Sequence, residues 1–429
     1  MKNRRLFFIG ISISILIVLD YIYLDYMTNL FDGNVASFGK YGYPEGHINY
    51  IKLFFSVIFI VALSYVVPLT AKSPSTLILI VYYYVAIVPF LSLFTLGITA
   101  SDSLNYVEFL NILIFYSVVR LLKNKNRHKA CVKTPKSLRL KYYTLFVSVI
   151  SLVLAGYLYI SFASSSLIGL TNLLDVYSQR EVFDKNTGII GSLITGYIIY
   201  GVIPFYIFMY KLYDNKAYLL FSFLLGFVIF LATGSKLFLG SVFLMALLSK
   251  FYKSNFSHSK IGISLILLIF ASYGAAIFFS SYMLLSVFVR RMLIIPAQLF
   301  ALFHEHSYSV GLNYLAKYTA FFTGSDGVSI AHSIGDKYYR TGSSANNGMI
   351  SDAYGNFGVL GVLFYALFFV WVFRYIDRLN IDMDLRLTPL FIGLAISLTN
   401  SSLLAVFVFQ ISMFIITFKI YDLINKVKA

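Results

Sequence analysis

The sequence predicts an all-α, polytopic membrane protein, and three observations carry that prediction. Of its 429 residues, 59% are hydrophobic and only 12% charged; an ordinary soluble domain has about twice that charge, so too little polar surface remains to cover a body in water. Its mean hydropathy is +0.80. The apolar residues also gather in runs of about 20, the length a helix needs to cross a hydrocarbon core of about 30 Å where no water pairs the backbone.

In chain order the runs lie near 6–24, 51–71, 77–98, 106–122, 142–162, 189–210, 217–233, 237–249, 261–284, 358–373, 387–400 and 402–420, which predicts about twelve spans. The first follows Met1-Lys-Asn-Arg-Arg5. No small-residue cleavage site comes after it, and Asp20-Tyr-Ile-Tyr-Leu-Asp25 continues it, so it reads as a permanent span rather than a signal peptide. Gly234-Ser-Lys236 alone separates 217–233 from 237–249, and Ser401 alone separates 387–400 from 402–420. Each pair is a tight hairpin or one bent element, and charge parity favours hairpins.

With both termini in the cytoplasm, most of the 34 Lys and Arg fall inside, including the basic 123–141 loop, whereas of the acids only Asp214, Asp377, Asp382, Asp384 and Asp422 do. The formal charge of +16 thus reflects topology and attraction to anionic inner-leaflet lipid, and does not indicate nucleic acid as a partner. The whole chain, 1–429, is expected to be one integral membrane domain.

Three outer connections are long: 25–50, 163–188 and above all 285–357, placed before the last spans. Long loops on a helical scaffold are where function concentrates, so the outer face is the expected working face. Within 285–357 the apolar stretches 287–296 and 312–322 are expected to lie as helices at the membrane surface or to dip into the bundle.

Several chemistries are missing. The one cysteine, Cys131, excludes an internal disulfide and Cys-based metal centres. No phosphate-binding G-x-x-x-x-G-K-[ST], dinucleotide-binding G-x-G-x-x-G or H-E-x-x-H occurs, so ATP hydrolysis and a nicotinamide cofactor are not expected. Inside the spans, Arg120 is placed to snorkel and Glu108 to sit one turn from the outer edge at modest cost. No ionisable group near the midplane stands out, which weighs against an ion-coupled pump.

The remaining polar groups include outer-face cations, Arg180, Lys185, Lys236, Arg290, Arg291, Lys317, Lys337 and Arg340, whose natural ligand at a membrane rim is a lipid phosphate or pyrophosphate. Taken singly, each is equally well a headgroup-seeking cation. Four stretches stand out. Tyr177-Ser-Gln-Arg-Glu-Val-Phe-Asp184 places Arg180 ahead of Gly191 at the mouth of a span, and a surface ion pair is its plainer explanation. Thr233-Gly-Ser-Lys236 is a polar interruption in which Gly permits a sharp turn. Arg290 and Arg291 are adjacent beneath Pro296 and face about 100° apart on a helix, so one at most faces a given site. The stretch from Ser343 to Gly361 leads from the long loop into a span. There Asn346 and Asn347 are placed to cap the helix, Asp352 and Tyr354 lie on its first turns, and Gly355, Gly358 and Gly361 permit close helix contact. Acid–base candidates on this face are His304, Glu305, His306, Asp326, His332, Asp336 and Asp352.

By this architecture and these residues the chain resembles the Wzy-type O-antigen and oligosaccharide repeat-unit polymerases, and more distantly the O-antigen ligases. At residue level the resemblance lies in Arg180 with Gly191, in Thr233-Gly-Ser-Lys236, which looks like a T-x-S-R turn, and in the 345–361 segment with its G-x-x-G ending. Lys236 replaces the Arg of many relatives and loses its bidentate fork. Asn346 or Asn347 stands where ligases often carry His, which favours a polymerase over a ligase.

The resemblance implies a glycosyltransferase of the bacterial inner membrane that polymerises undecaprenyl-pyrophosphate-linked repeat units at the periplasmic face, with no metal or other cofactor. Its implied partners are the lipid-linked donor and acceptor, membrane lipid and a chain-length regulator protein. In that scheme Arg180, Arg290 or Arg291, with Lys236 and Arg340, bind pyrophosphate and stabilise the departing charge. Asp352, Glu305 or His332 orients or deprotonates the acceptor hydroxyl. Asn346, Asn347, Gly191 and Tyr354 complete the substrate site, Tyr338, Tyr339 and Tyr354 being available to stack on sugars. The alternatives are a flippase for the same lipid-linked sugars, or an O-antigen ligase.

Overall fold

The computed structural model describes residues 2–27, 46–99, 102–122, 138–162, 186–234, 258–279, 284–316, 328–339, 348–383 and 386–426, with positions 183, 240, 242, 243, 245–247, 282 and 345. Among them the regular structure is entirely helical. Among the described residues, ten helices are long and apolar enough to cross a membrane: Asn3–Tyr26, Pro74–Thr95, Leu104–Leu122, Lys141–Phe162, Ile190–Tyr213, Lys216–Thr233, His258–Phe279, Leu285–Val310, Met349–Ile381 and Leu403–Ile424. The chain is therefore a multi-pass membrane protein.

Three differences from the hydropathy reading have local causes. The 51–71 run becomes the shorter helix Tyr50–Leu63, because Pro68 disfavours helical backbone just before it. The 387–400 run becomes Thr388–Ser397, which opens as a 3-10 turn at Pro389. The 287–296 stretch, expected to lie at the membrane surface or to dip into the bundle, is part of a continuous helix of 26 residues, Leu285–Val310. Most of 237–249 lies outside the described residues.

Helix ends follow the sequence. Asn49 caps 50–63 by accepting from the N–H groups of Ile51 and Lys52, both at 3.1 Å, and Asn215 caps 216–233 by accepting from Ala217 N–H at 3.0 Å. Gly234 ends that helix with φ 65°, its N–H donating to the Phe230 carbonyl at 2.8 Å. This is the turn its glycine predicts.

Prolines set a second pattern. Wide π-helical turns at Tyr83–Ile87, Tyr197–Val202 and Leu285–Ile294 each end two residues before a proline, Pro89, Pro204 and Pro296. Proline has no N–H and its ring collides with the carbonyl four residues back, so the ladder slips to i→i−5 bonds just ahead of it. These are seen as Val88 N–H to Tyr83, Ile203 to Ile198 and Ile295 to Arg290.

The chain forms two compact units. One comprises Met1–Asn126, Asn255–Arg374 and Ala395–Leu403. Its axis is the Pro74–Thr95 helix, wholly buried and packed against the 2–22, 50–63 and 295–310 helices. The second comprises Arg127–Ser254, Tyr375–Leu394 and Leu404–Ala429. In it the 190–213 helix meets the last helix through glycines: a Cβ on Gly196 would strike the Phe409 carbonyl, and one on Gly201 would lie 2.8 Å from Thr417 Oγ1. Residues five apart share a face here because the π turn between them carries i→i−5 bonding.

Candidate functional site

A buried polar cluster lies in the first unit, built from three helices. The 104–122 helix carries Asn105, Glu108 and Asn111 at three-residue spacing, hence on one stripe. All three are 0% exposed. The 285–310 helix brings His304, also fully buried, whose Nδ1 lies 3.3 Å from Glu108 Oε1. Asn111 Nδ2 reaches His304 Nε2 at 3.1 Å. The Tyr354 ring stacks on the imidazole at a centroid distance of 4.1 Å and an interplanar angle of 18°.

The hydrogen positions follow from the partners. His304 Nδ1 is 3.0 Å from the Phe300 carbonyl, which only accepts, so Nδ1 carries the hydrogen and Nε2 accepts from the Asn111 amide. Glu108 thus stands beside the imidazole without receiving its N–H: neither carboxylate oxygen, nor Asn111 Oδ1, has a hydrogen-bond donor among the described residues.

Gly358 delivers Tyr354 to this place. At φ 61° and ψ −149° it breaks the 349–381 helix, in a backbone region open essentially to glycine alone. The chain folds back there: Tyr365 O–H donates to Asp352 Oδ2 at 2.6 Å. Asn356 Nδ2 donates to Asp352 Oδ1 at 3.3 Å. The carbonyls freed at the break are not stranded, since Asn313 N–H donates to Gly355 at 3.0 Å and Tyr314 N–H to Asn356 at 3.1 Å. At the other end of this short helix Met349 N–H donates to the Leu398 carbonyl at 3.2 Å and Ile350 N–H to Tyr82 O–H at 3.4 Å. A Cβ on Gly355 would strike Ile330, so this glycine lets the helix pack against Ile330 and Phe303.

The adjacent arginines separate as their spacing predicts. Arg290 is 2% exposed and its Nε–H donates to Ser286 Oγ at 3.2 Å, whereas Arg291 is exposed. Glu305 is half-buried. His332 Nε2 is 3.2 Å from Asp336 Oδ2, on groups 41% and 52% exposed, a surface pair. Gly191 is buried in the second unit, where a Cβ would strike Thr187. Arg180, Lys236, Arg340, Asn346 and Asn347 lie outside the described residues, as do Lys185, Lys317 and Asp326, and so do the side chains of Tyr338 and Tyr339.

Of the predicted site residues, Asp352 and Tyr354 come together on one short helix, and Tyr354 joins the buried cluster. Glu108 lies about one turn into the Leu104–Leu122 helix, and what is corrected is the modest cost expected of it. It is fully buried, and Asp20, His304 and Arg290 are buried inside spanning helices as well. Asp20 is held by the Ser92 hydroxyl. The signal for Glu108 was present as Asn105-x-x-Glu108-x-x-Asn111, a polar stripe at helical spacing in an apolar run. Its meaning waited for His304, 193 residues beyond Asn111. No cluster of three His, Cys, Asp or Glu fit to hold a metal occurs among the described residues. Compared with family models, curated proteins and solved structures, the chain matches none.

Proposed function

We propose that this protein is a membrane glycosyltransferase that joins lipid-pyrophosphate-linked oligosaccharide repeat units, a Wzy-type polymerase of the bacterial inner membrane working at its periplasmic face. The observation that carries the reading is the 345–361 segment, which the resemblance singles out. Its short helix turns back at Gly358 and presents Tyr354 to the Glu108–His304 cluster, with Asp352 fixed by Tyr365 and Asn356. Such a rigid, hydrogen-bonded carboxylate suits the orientation of an acceptor hydroxyl. Arg290, with its planar fork, and Arg180 are assigned the pyrophosphate, stabilising negative charge on the departing lipid.

The transfer needs no nucleotide, because the bond to pyrophosphate that breaks supplies the driving force. Its test is reconstitution of the full chain in liposomes with a polyprenyl-pyrophosphate-linked repeat unit, without nucleotide and with excess EDTA. A ladder of products that disappears in Arg180→Ala is the expected result. Authentic substrate left monomeric by folded protein rejects the reading.

A second reading, a flippase for the same lipid-linked sugars, draws on one observation: Glu108, His304 and Arg290 are buried within helices of spanning length, where ionisable groups commonly mark a transport path. Movement of the substrate across the liposome bilayer without chain growth selects it.

A further inference from the structure

The Glu108 cluster has a feature that neither reaction explains. Three acceptor oxygens, Oε1 and Oε2 of Glu108 and Oδ1 of Asn111, are buried with no hydrogen-bond donor among the described residues. An apolar interior makes such an arrangement costly for a bare carboxylate. What it lacks is positive charge or hydrogen. The groups facing Glu108 are His304 from the 285–310 helix and Tyr354 stacked upon it from the 349–357 helix. The one cation of the 50–63 helix, Lys52, is turned onto the Phe94 ring at 5.2 Å, and that ring in turn packs on Phe109.

We propose that Glu108 and His304 form a proton-binding site within the membrane-spanning part of the first unit, with Glu108 as the group that holds the proton. A hard cation such as calcium or magnesium needs a cage of several oxygens. Here an imidazole nitrogen lies 3.3 Å from the carboxylate, which suits proton exchange. The step balances. A proton arriving at Nε2 makes an imidazolium, the Nδ1 hydrogen passes 3.3 Å to Oε1, and the products are a neutral carboxylic acid and a neutral imidazole with its hydrogen on Nε2. The acid O–H then donates to Nδ1, and the Asn111 amide turns so that Oδ1 accepts from Nε2. In the loaded state Oε1 and Asn111 Oδ1 gain partners, and Oε2 becomes the carbonyl oxygen of a neutral acid, which costs far less to bury than a carboxylate. The proposal stands whichever reaction the protein performs.

The test is infrared difference spectroscopy on the full chain in lipid, cycled between acid and alkaline pH. The expected result is a carboxylic-acid C=O band gained on acidification and shifted in D2O. The band is lost in Glu108→Gln and present at a displaced frequency in Glu108→Asp, with size-exclusion profiles showing that each variant is folded. Should Glu108→Gln unfold, the frequency displacement in Glu108→Asp makes the assignment alone. Wild-type and Glu108→Gln spectra that superimpose, or a Glu108→Asp band at the wild-type frequency, overturn the proposal. So does a wild-type band that sodium chloride removes at constant pH, since that identifies a sodium site.

Discussion

Tyr365 donates its hydroxyl hydrogen to Asp352 across 2.6 Å although 13 residues separate them; a straight helix would hold the two about 20 Å apart. The bond therefore fastens a reversal of the chain. Tyr365→Phe leaves a buried carboxylate short of one donor, and a hydrogen bond to a charged group contributes about 1.5–3 kcal/mol. The variant is expected to lose stability in that range by denaturation in detergent, and to polymerise more slowly if Asp352 orients the acceptor. Unchanged stability would show that other contacts hold the reversal.

The reversal itself depends on Gly358. Its neighbourhood has room for a methyl group, the nearest atoms being those of Leu312 at 3.7 and 3.9 Å, so substitution strains the backbone and not the packing. Gly358→Ala is expected to cost about 1–3 kcal/mol. Gly10→Ala, with nothing within 4 Å and ordinary helical backbone, is the neutral control. Equal melting temperatures for the two would contradict the assignment.

In the second unit the glycine contact predicts a different failure. Gly196→Ala drives a methyl group into the Phe409 backbone carbonyl, which has no rotamer with which to yield. Overpacking of about 1–3 kcal/mol is expected, visible as a lowered melting temperature.

Arg290 and Arg291 are neighbours in sequence with opposite surroundings. Arg291→Ala should change stability by no more than about 0.5 kcal/mol, the range of surface substitutions, and should leave the product ladder intact. Arg290→Ala, and Arg290→Lys to a lesser degree, should shorten or abolish it. The reverse ranking would assign the proposed pyrophosphate contact to the exposed arginine.

Much of the helical plan was legible because helix formation in lipid is decided locally. A run of about 20 apolar residues has no other way to pair its backbone, and nine of the ten spanning-length helices coincide with or contain such runs. The tenth, Leu285–Val310, was obscured by Arg290-Arg291 and Pro296, which lower the local hydropathy and suggest a break. The helix absorbs them by widening into a π turn ahead of the proline and by burying Arg290 against Ser286. Met349–Ile381 conceals the opposite event, a break at Gly358 where the 358–373 run begins, because G-x-x-G spacing reads equally as a packing face.

By itself, then, the sequence determined that the chain forms many apolar helices, that Gly234 permits a sharp turn, and that Arg290 and Arg291 point apart. Each is a matter of residues within a turn or two of one another. The tertiary structure decided which polar groups share a site. Asn111 meets His304 across 193 residues of chain, Tyr365 reaches Asp352 only because Gly358 reverses the backbone, and Glu108 lost its access to water when three helices closed around it. Burial and partnership are properties of the packed bundle, and no local periodicity encodes them.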